Sequence, residues 1–230
     1  MKVKDIIRII EDFAPLSIQE GWDNSGLCIG SPEDVVSSVL LGLDCTPELV
    51  DEAIACGADM IVTHHPLIFS GLKKISPDNP VGEAVIKAIR GGISIYAAHT
   101  SADKVIAGVS GAMAARLGLV NVSILDEDGE GTGLGVVGDL PEPLTADEAV
   151  KLVKEKFALK AMRSGAQLYL SGDISYHNFF TKEGFMIMDI GHYESEIEIV
   201  DILFSLIKKN FPTFAVRITQ NIYSNPIFYF

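Results

Sequence analysis

The chain has 230 residues, 48% of them hydrophobic and 21% charged, with 21 glycines spread along its length and a net charge of −13. A chain of this size buries a core without disulfides, as one domain or two closely packed lobes, and its composition excludes extended disorder. The acidic surplus, with no Lys/Arg block, repels duplex nucleic acid over most of the surface; a small anion stays admissible where divalent cations reverse the local field.

Cys28, Cys45 and Cys56 form no Cys-x-x-Cys pair and sit in apolar or helical surroundings, so they read as reduced. The amino terminus lacks an uninterrupted signal-type apolar core, and no window approaches ~20 apolar residues, so the expected location is cytoplasmic, with no membrane partner.

Ile6, Ile7, Ile10 and Phe13 recur at helical spacing from Lys4 to Phe13, and Pro15 stops that helix. Val35 to Leu43 reads as a strand, Thr46-Pro47-Glu48 as a helix start, and Gly57 as its end. Met60 to Val62 is a buried strand, Val81 to Arg90 a helix closed by Gly91-Gly92, and Ile93 to Ala97 another strand. One helix is expected from Lys104 to Leu117, a strand from Gly133 to Gly138, and a Thr145-capped helix to Phe157. Short strands at Leu168 to Leu170 and Phe185 to Met188, a helix from Glu194 to Lys209 and a strand from Phe214 to Ile218 complete the chain. Apolar strands alternating with amphipathic helices predict an α/β fold with a mainly parallel sheet, whose sites form beyond the carboxyl ends of the strands.

All five histidines fall in four short motifs at those ends: Thr63-His64-His65-Pro66, His99 to Asp103, Gly172-Asp173 with His177, and Gly191-His192-Tyr193-Glu194-Ser195-Glu196. Imidazoles mixed with carboxylates suit a borderline transition metal such as zinc, iron, manganese or nickel better than calcium or magnesium. His192 and Glu196, four residues apart at a helix start, share one face, and His99 and Asp103 repeat the spacing. Pro66 forces a turn in which His64 and His65 diverge only partly and address two neighbouring ions. Taken singly each motif is an ordinary surface pair; it is their joint placement on one sheet edge that points to a site. Asp173 and His177 are ligands, turn residues or, the favoured reading, partners for the second ring nitrogen of metal-bound imidazoles.

The chain resembles the Nif-three-like dinuclear metal-centre family, also named GTP cyclohydrolase type I type 2 homologues. The resemblance rests on Trp22-Asp23-Asn24-Ser25-Gly26-Leu27, Leu43-Asp44-Cys45-Thr46-Pro47, the run from Ala58 through His64-His65-Pro66-Leu67-Ile68-Phe69, His99 to Asp103, Leu170 to Asp173 with His177, and Gly191 to Glu196. It implies that His64, His65, Asp103, His192 and Glu196 hold two divalent transition-metal ions, with His99 close by but outside the usual ligand set. It also implies two similar α/β lobes, one of about residues 1–125 plus the C-terminal segment and one of about 126–200, with the metal pair in the cleft and a hexameric ring of subunits. Two departures stand out. Only Lys160 to Ala166 separate the helix ending near Phe157 from Leu168, so either the second lobe lacks a strand or a segment is missing, and Ser101-Ala102 replaces the usual pair between His and Asp. There is no room for the inserted domain of longer members.

The expected function is that of a metal-dependent hydrolase in which a metal-bridging water attacks a small nucleotide-like or heterocyclic substrate, with His99 or His177 as proton shuttle. The rival readings are a non-catalytic storage, delivery or regulatory scaffold using the same ligands, and a plain α/β interaction module.

Overall fold

Strands that are apolar at every position need cover on both faces, and the fold supplies it around a central sheet. The computed structural model describes residues 1–157, 167–174 and 185–220. Five strands lie in the order β1 (Gly26–Ile29), β4 (Ser94–Ala97), β3 (Met60–Thr63), β2 (Ser38–Gly42), β9 (Ala215–Ile218). All neighbours are parallel except β1, which runs antiparallel along β4. Val39, Leu41, Met60, Val62 and Tyr96 face α1 (Val3–Phe13) and α8 (Glu198–Asn210), while Leu40, Ile61 and Ile95 face α2 (Pro47–Cys56) and α3 (Pro80–Gly91). Each such fully buried aliphatic side chain contributes about 1.5–3 kcal/mol.

The helices on this sheet begin and end where the sequence places them. Thr46 Oγ1 accepts from the Leu49 N–H and Asn79 Oδ1 from the Gly82 N–H, each ahead of a proline at the helix start, and α2 and α3 end at left-handed Gly57 and Gly92. The thiols of Cys28 and Cys45 are free, and burial pushes that of Cys28 up to about 11.

A second region follows. It comprises α5 (Val109–Leu117), an antiparallel hairpin of β5 (Val120–Gly129) and β6 (Thr132–Asp139), α6 (Ala146–Phe157), the parallel pair β7 (Gln167–Ser171) and β8 (Phe185–Asp189), and the short α7 (His192–Glu196). Its own core joins Val150 and Val153 of α6 to Met186, Met188 and Ile190, with Met113, Leu117, Leu168 and Leu170 alongside. Arg116 and Glu198 pair α5 with α8. Among the described residues no helix is long and apolar enough to cross a membrane.

The structure differs from the sequence expectations at five points. The helix expected from Lys104 to Leu117 begins only at Val109, as α5; a separate α4 (Thr100–Asp103) precedes it, and residues 104–108 meet the hairpin instead. Lys104 pairs with Glu20 at 2.8 Å and with Asp128, its carbonyl accepts from the Gly133 N–H, and Val105 bridges to Thr132. Strand β5 was not expected, because its second half is acidic and it is largely exposed, so it carries little apolar signal. Strand β2 starts at Ser38 rather than Val35, since Val35 and Val36 pair instead with the first two residues of the chain. The last helix starts two residues early, at His192, and is interrupted at Ile197. Strand β1, too short and glycine-bounded to register as a period, also went unpredicted.

Candidate metal centre

Register sets the first half of the site. Gly42 pairs with Thr63 and Thr63 with Ala97, so β2, β3 and β4 end side by side, and the residues just beyond them, Asp44, His64 with His65, and Ala98 with His99, emerge together. The second half comes from β7 and β8, where Ser171 pairs with Asp189. Their ends bring Gly172-Asp173 against the start of α7. A methyl group on Gly172 would stand 2.8 Å from Ser195 Oγ and 2.9 Å from the His192 Cα, so only glycine permits this approach. Asp173 adopts a left-handed φ of 56°, a conformation Asp tolerates better than most side chains.

Five sequence-predicted residues converge. His65 Nε2 lies 2.9 Å from Glu196 Oε2, and His192 Nε2 lies 3.0 Å from both Glu196 Oε2 and His65 Nε2. Fully buried His64 places its Nε2 3.6 Å from Asp103 Oδ1 and 3.8 Å from Glu196 Oε2. His192 and Glu196 meet across one turn of α7, as their spacing predicts. His99 stands beside His64 and His65, with ring centroids 5.2 and 5.4 Å away. His177 and the Lys160 to Ala166 connection lie outside the described residues.

Each of these four imidazoles is held by the nitrogen facing away from the centre. The Nδ1 of His64 is 2.9 Å from the Ala98 carbonyl, that of His65 2.7 Å from Asp44, that of His99 2.8 Å from Asp23, and that of His192 3.0 Å from Asp173. An oxygen acceptor behind Nδ1 fixes the ring and leaves Nε2 as the free lone pair, the arrangement that metal-bound histidines adopt. Of these anchors the sequence reading favoured a supporting role only for Asp173. Asp44 was readable from its place at the end of the strand beside His65; nothing periodic marks Asp23.

The electrostatics show what this donor set lacks. Burial drives the His64 imidazole down to about 3, so it is neutral. Its Nε2 is buried with no hydrogen-bond partner among the described residues, a situation that costs about 1–3 kcal/mol unless something else satisfies the atom. Burial opposes charge on His65, yet Asp44 and Glu196 hold it up to about 9; burial and the Glu196 carboxylate raise Asp103 to about 7. Glu196 stays well below the usual range, as its imidazole neighbours outweigh the cost of burial. Two inward lone pairs 3.0 Å apart on His65 and His192 repel unless a cation sits with them; in the metal-free protein that cation is a proton. The residues therefore fit a divalent ion. Ring or carboxylate atoms of His65, His192 and Glu196 lie within 4.8 Å of one another, as do those of His64, His65 and His99.

The site opens onto a cavity of about 850 Å³ that reaches between α5, α6 and β6. Its walls are largely apolar, including Val109, Met113, Leu117, Leu152, Leu168 and Leu170, and Asp103, His192, Ser195 and Glu196 stand at one end.

An α/β scaffold carrying such a His/Glu cluster has known relatives. The family model of Duf34/NIF3 (NGG1p interacting factor 3) matches residues 1–164 and 156–226, and the chain belongs to that family. A GTP cyclohydrolase 1 type 2 homolog of Clostridium perfringens is 35% identical over 229 residues, covering 85% of this chain and 87% of the relative. One from Lactococcus lactis is 30% identical over 226 residues, covering 84% and 86%. The crystal structure of a Staphylococcus aureus hypothetical protein superposes with a TM-score of 0.88 at 25% identity, covering 100% of this chain and 99% of that one. A Bacillus cereus protein related to NIF3 shares the fold, with a TM-score of 0.85 at 22% identity and the same coverage.

Proposed function

We propose that this protein is a dinuclear-metal hydrolase, with His64, His65, Asp103, His192 and Glu196 holding two divalent transition-metal ions and the adjoining cavity receiving a small nucleotide-like or heterocyclic substrate. The observation that carries the reading is the meeting of three imidazole nitrogens with the Glu196 and Asp103 carboxylates at the mouth of a largely apolar cavity. Bound there, a metal pair supplies Lewis acidity and a water nucleophile at neutral pH. The chain's own residues do the rest. Asp44, Asp173 and the Ala98 carbonyl orient the rings, Glu196 sits where it can reach both positions, and the apolar walls exclude water and shape the substrate's body. A site with open space beside it favours reactivity over a closed structural role. The name of the relatives, GTP cyclohydrolase 1 type 2 homolog, fits ring opening of a purine.

The test is elemental analysis of the purified protein beside His65→Ala and Glu196→Ala, then a hydrolysis screen of the metal-loaded protein over nucleotides, cyclic amides and phosphoesters. Two transition-metal ions per chain, lost in both variants along with turnover, support the reading. Bound metal without turnover on any class favours the storage or delivery scaffold, and absence of metal under replete conditions ends both.

A further inference from the structure

Among the described residues, His99 is the histidine that the family resemblance leaves without a ligand role, yet it is built like the others. Its ring meets His64 and His65 edge-on, at interplanar angles of 74° and 71°, and a ring nitrogen of each of the three lies within 4.8 Å of the others. The anchor behind it is the most elaborate of the four. The Asp23 side chain is fully shielded from solvent and accepts from His99 Nδ1 at 2.8 Å, Ser25 Oγ at 2.6 Å, the Asn24 N–H at 2.7 Å, the Thr100 N–H at 3.1 Å and Thr100 Oγ1 at 2.5 Å. The Asn24 side-chain amide, donating to the Ile68 carbonyl at 2.6 Å, ties the Asp23 loop to the segment after His65. An imidazole needed only for packing does not require a desolvated carboxylate with five donors to fix its tautomer.

We propose that His99 is a further metal ligand, forming with His64 and His65 an imidazole-rich position, and that Asp23 is the positioning residue that holds it. This rests on the metal-binding reading above and makes the centre asymmetric. His65 offers a single inward nitrogen and so serves one ion: with His65 beside His64 and His99, the other position is left to His192 with the Glu196 and Asp103 carboxylates. Imidazole-rich positions retain zinc, iron, nickel or copper, whereas carboxylate-rich ones tolerate manganese. The proposal also removes His99 from the proton-shuttle role.

Chelator-stripped full-length protein is titrated with Co²⁺, reading stoichiometry by elemental analysis, visible ligand-field absorption, and the fluorescence of Trp22. That residue is the chain's sole tryptophan, and its ring lies 6.1 Å from His99. The expected result is two Co²⁺ per chain in the wild type, with one ion bound at least tenfold more weakly in His99→Ala, altered absorption and reduced quenching of Trp22. Asp23→Asn weakens the same ion by about 10–100-fold. His99→Gln, which can still donate to Asp23 but has no imidazole, should match His99→Ala and serves if the smaller side chain prevents folding. Two Co²⁺ bound with unchanged affinity and spectrum in His99→Ala and His99→Gln overturn this inference alone; a wild type that takes up no Co²⁺ overturns the metal-binding reading with it.

Discussion

The two halves of the centre are held by different means. His64, His65 and His99 sit where parallel strands of a doubly covered sheet end in register, and His64 is wholly buried with its Nδ1 on a backbone carbonyl. His192 is carried by a five-residue helix, its side chain is 40% exposed, and its anchor Asp173 is 71% exposed. The sheet side is preorganised by packing, whereas the helix side depends on a close glycine contact and a solvated hydrogen bond. A metal pair held there would bridge a stiff wall and a softer one.

The largest expected effect comes from the residue that joins them. Glu196→Ala removes the carboxylate within 3.0 Å of both His65 and His192 and should empty the centre, with bound transition metal falling close to zero by elemental analysis. The anchors then test the contrast directly. Asp44→Ala should weaken metal binding by about 10–100-fold, the usual cost of losing a partner to a ligating imidazole. Asp173→Ala should cost less, because water can replace an exposed acceptor; equal losses in a competition titration break the comparison.

Gly172→Ala probes the soft wall from its backbone. The added methyl group meets Ser195 Oγ and the His192 Cα, so it should destabilise the fold by about 1–3 kcal/mol in chemical denaturation and weaken metal held by His192. Metal affinity unchanged in this variant would mean that the helix side adapts at no cost.

Acidity sharpens the comparison from the stiff side. In the metal-free protein His65 is raised from 6.5 to about 9, so its charged form adds stability in full below pH 6.5, and that contribution is lost as pH rises through 9. A metal ion must displace the same proton, so affinity should rise over that window while metal-free stability falls. Melting curves with and without Co²⁺ should thus diverge from pH 6.5 to 9, and parallel curves would contradict the assignment. The smallest effect is a control: Thr46→Ala, at the start of α2, should cost about 1 kcal/mol and leave metal binding untouched.

Much of the scaffold is legible without coordinates. Unbroken apolar runs at Met60 to Val62 and Ile93 to Ala97, with proline-led helix starts and glycine ends, fix β3, β4, α2 and α3 to within a residue or two. What escapes is structure whose stability is non-local. The β5 strand is polar and solvated, and the break between α4 and α5 exists because Lys104 reaches Glu20 and Asp128 from distant parts of the chain.

The sequence by itself determined the donor chemistry: histidines in short motifs, paired with carboxylates at helical spacing, supply the side chains that a transition-metal site would use before any fold is known. Only the tertiary structure decided which atoms face inward. A ring's free nitrogen is set by the oxygen behind its other one, and Asp23, Asp44, Ala98 and Asp173 come from four separate segments that only folding brings to the imidazoles. Residue type is local information, whereas tautomer and orientation are properties of contacts between distant segments.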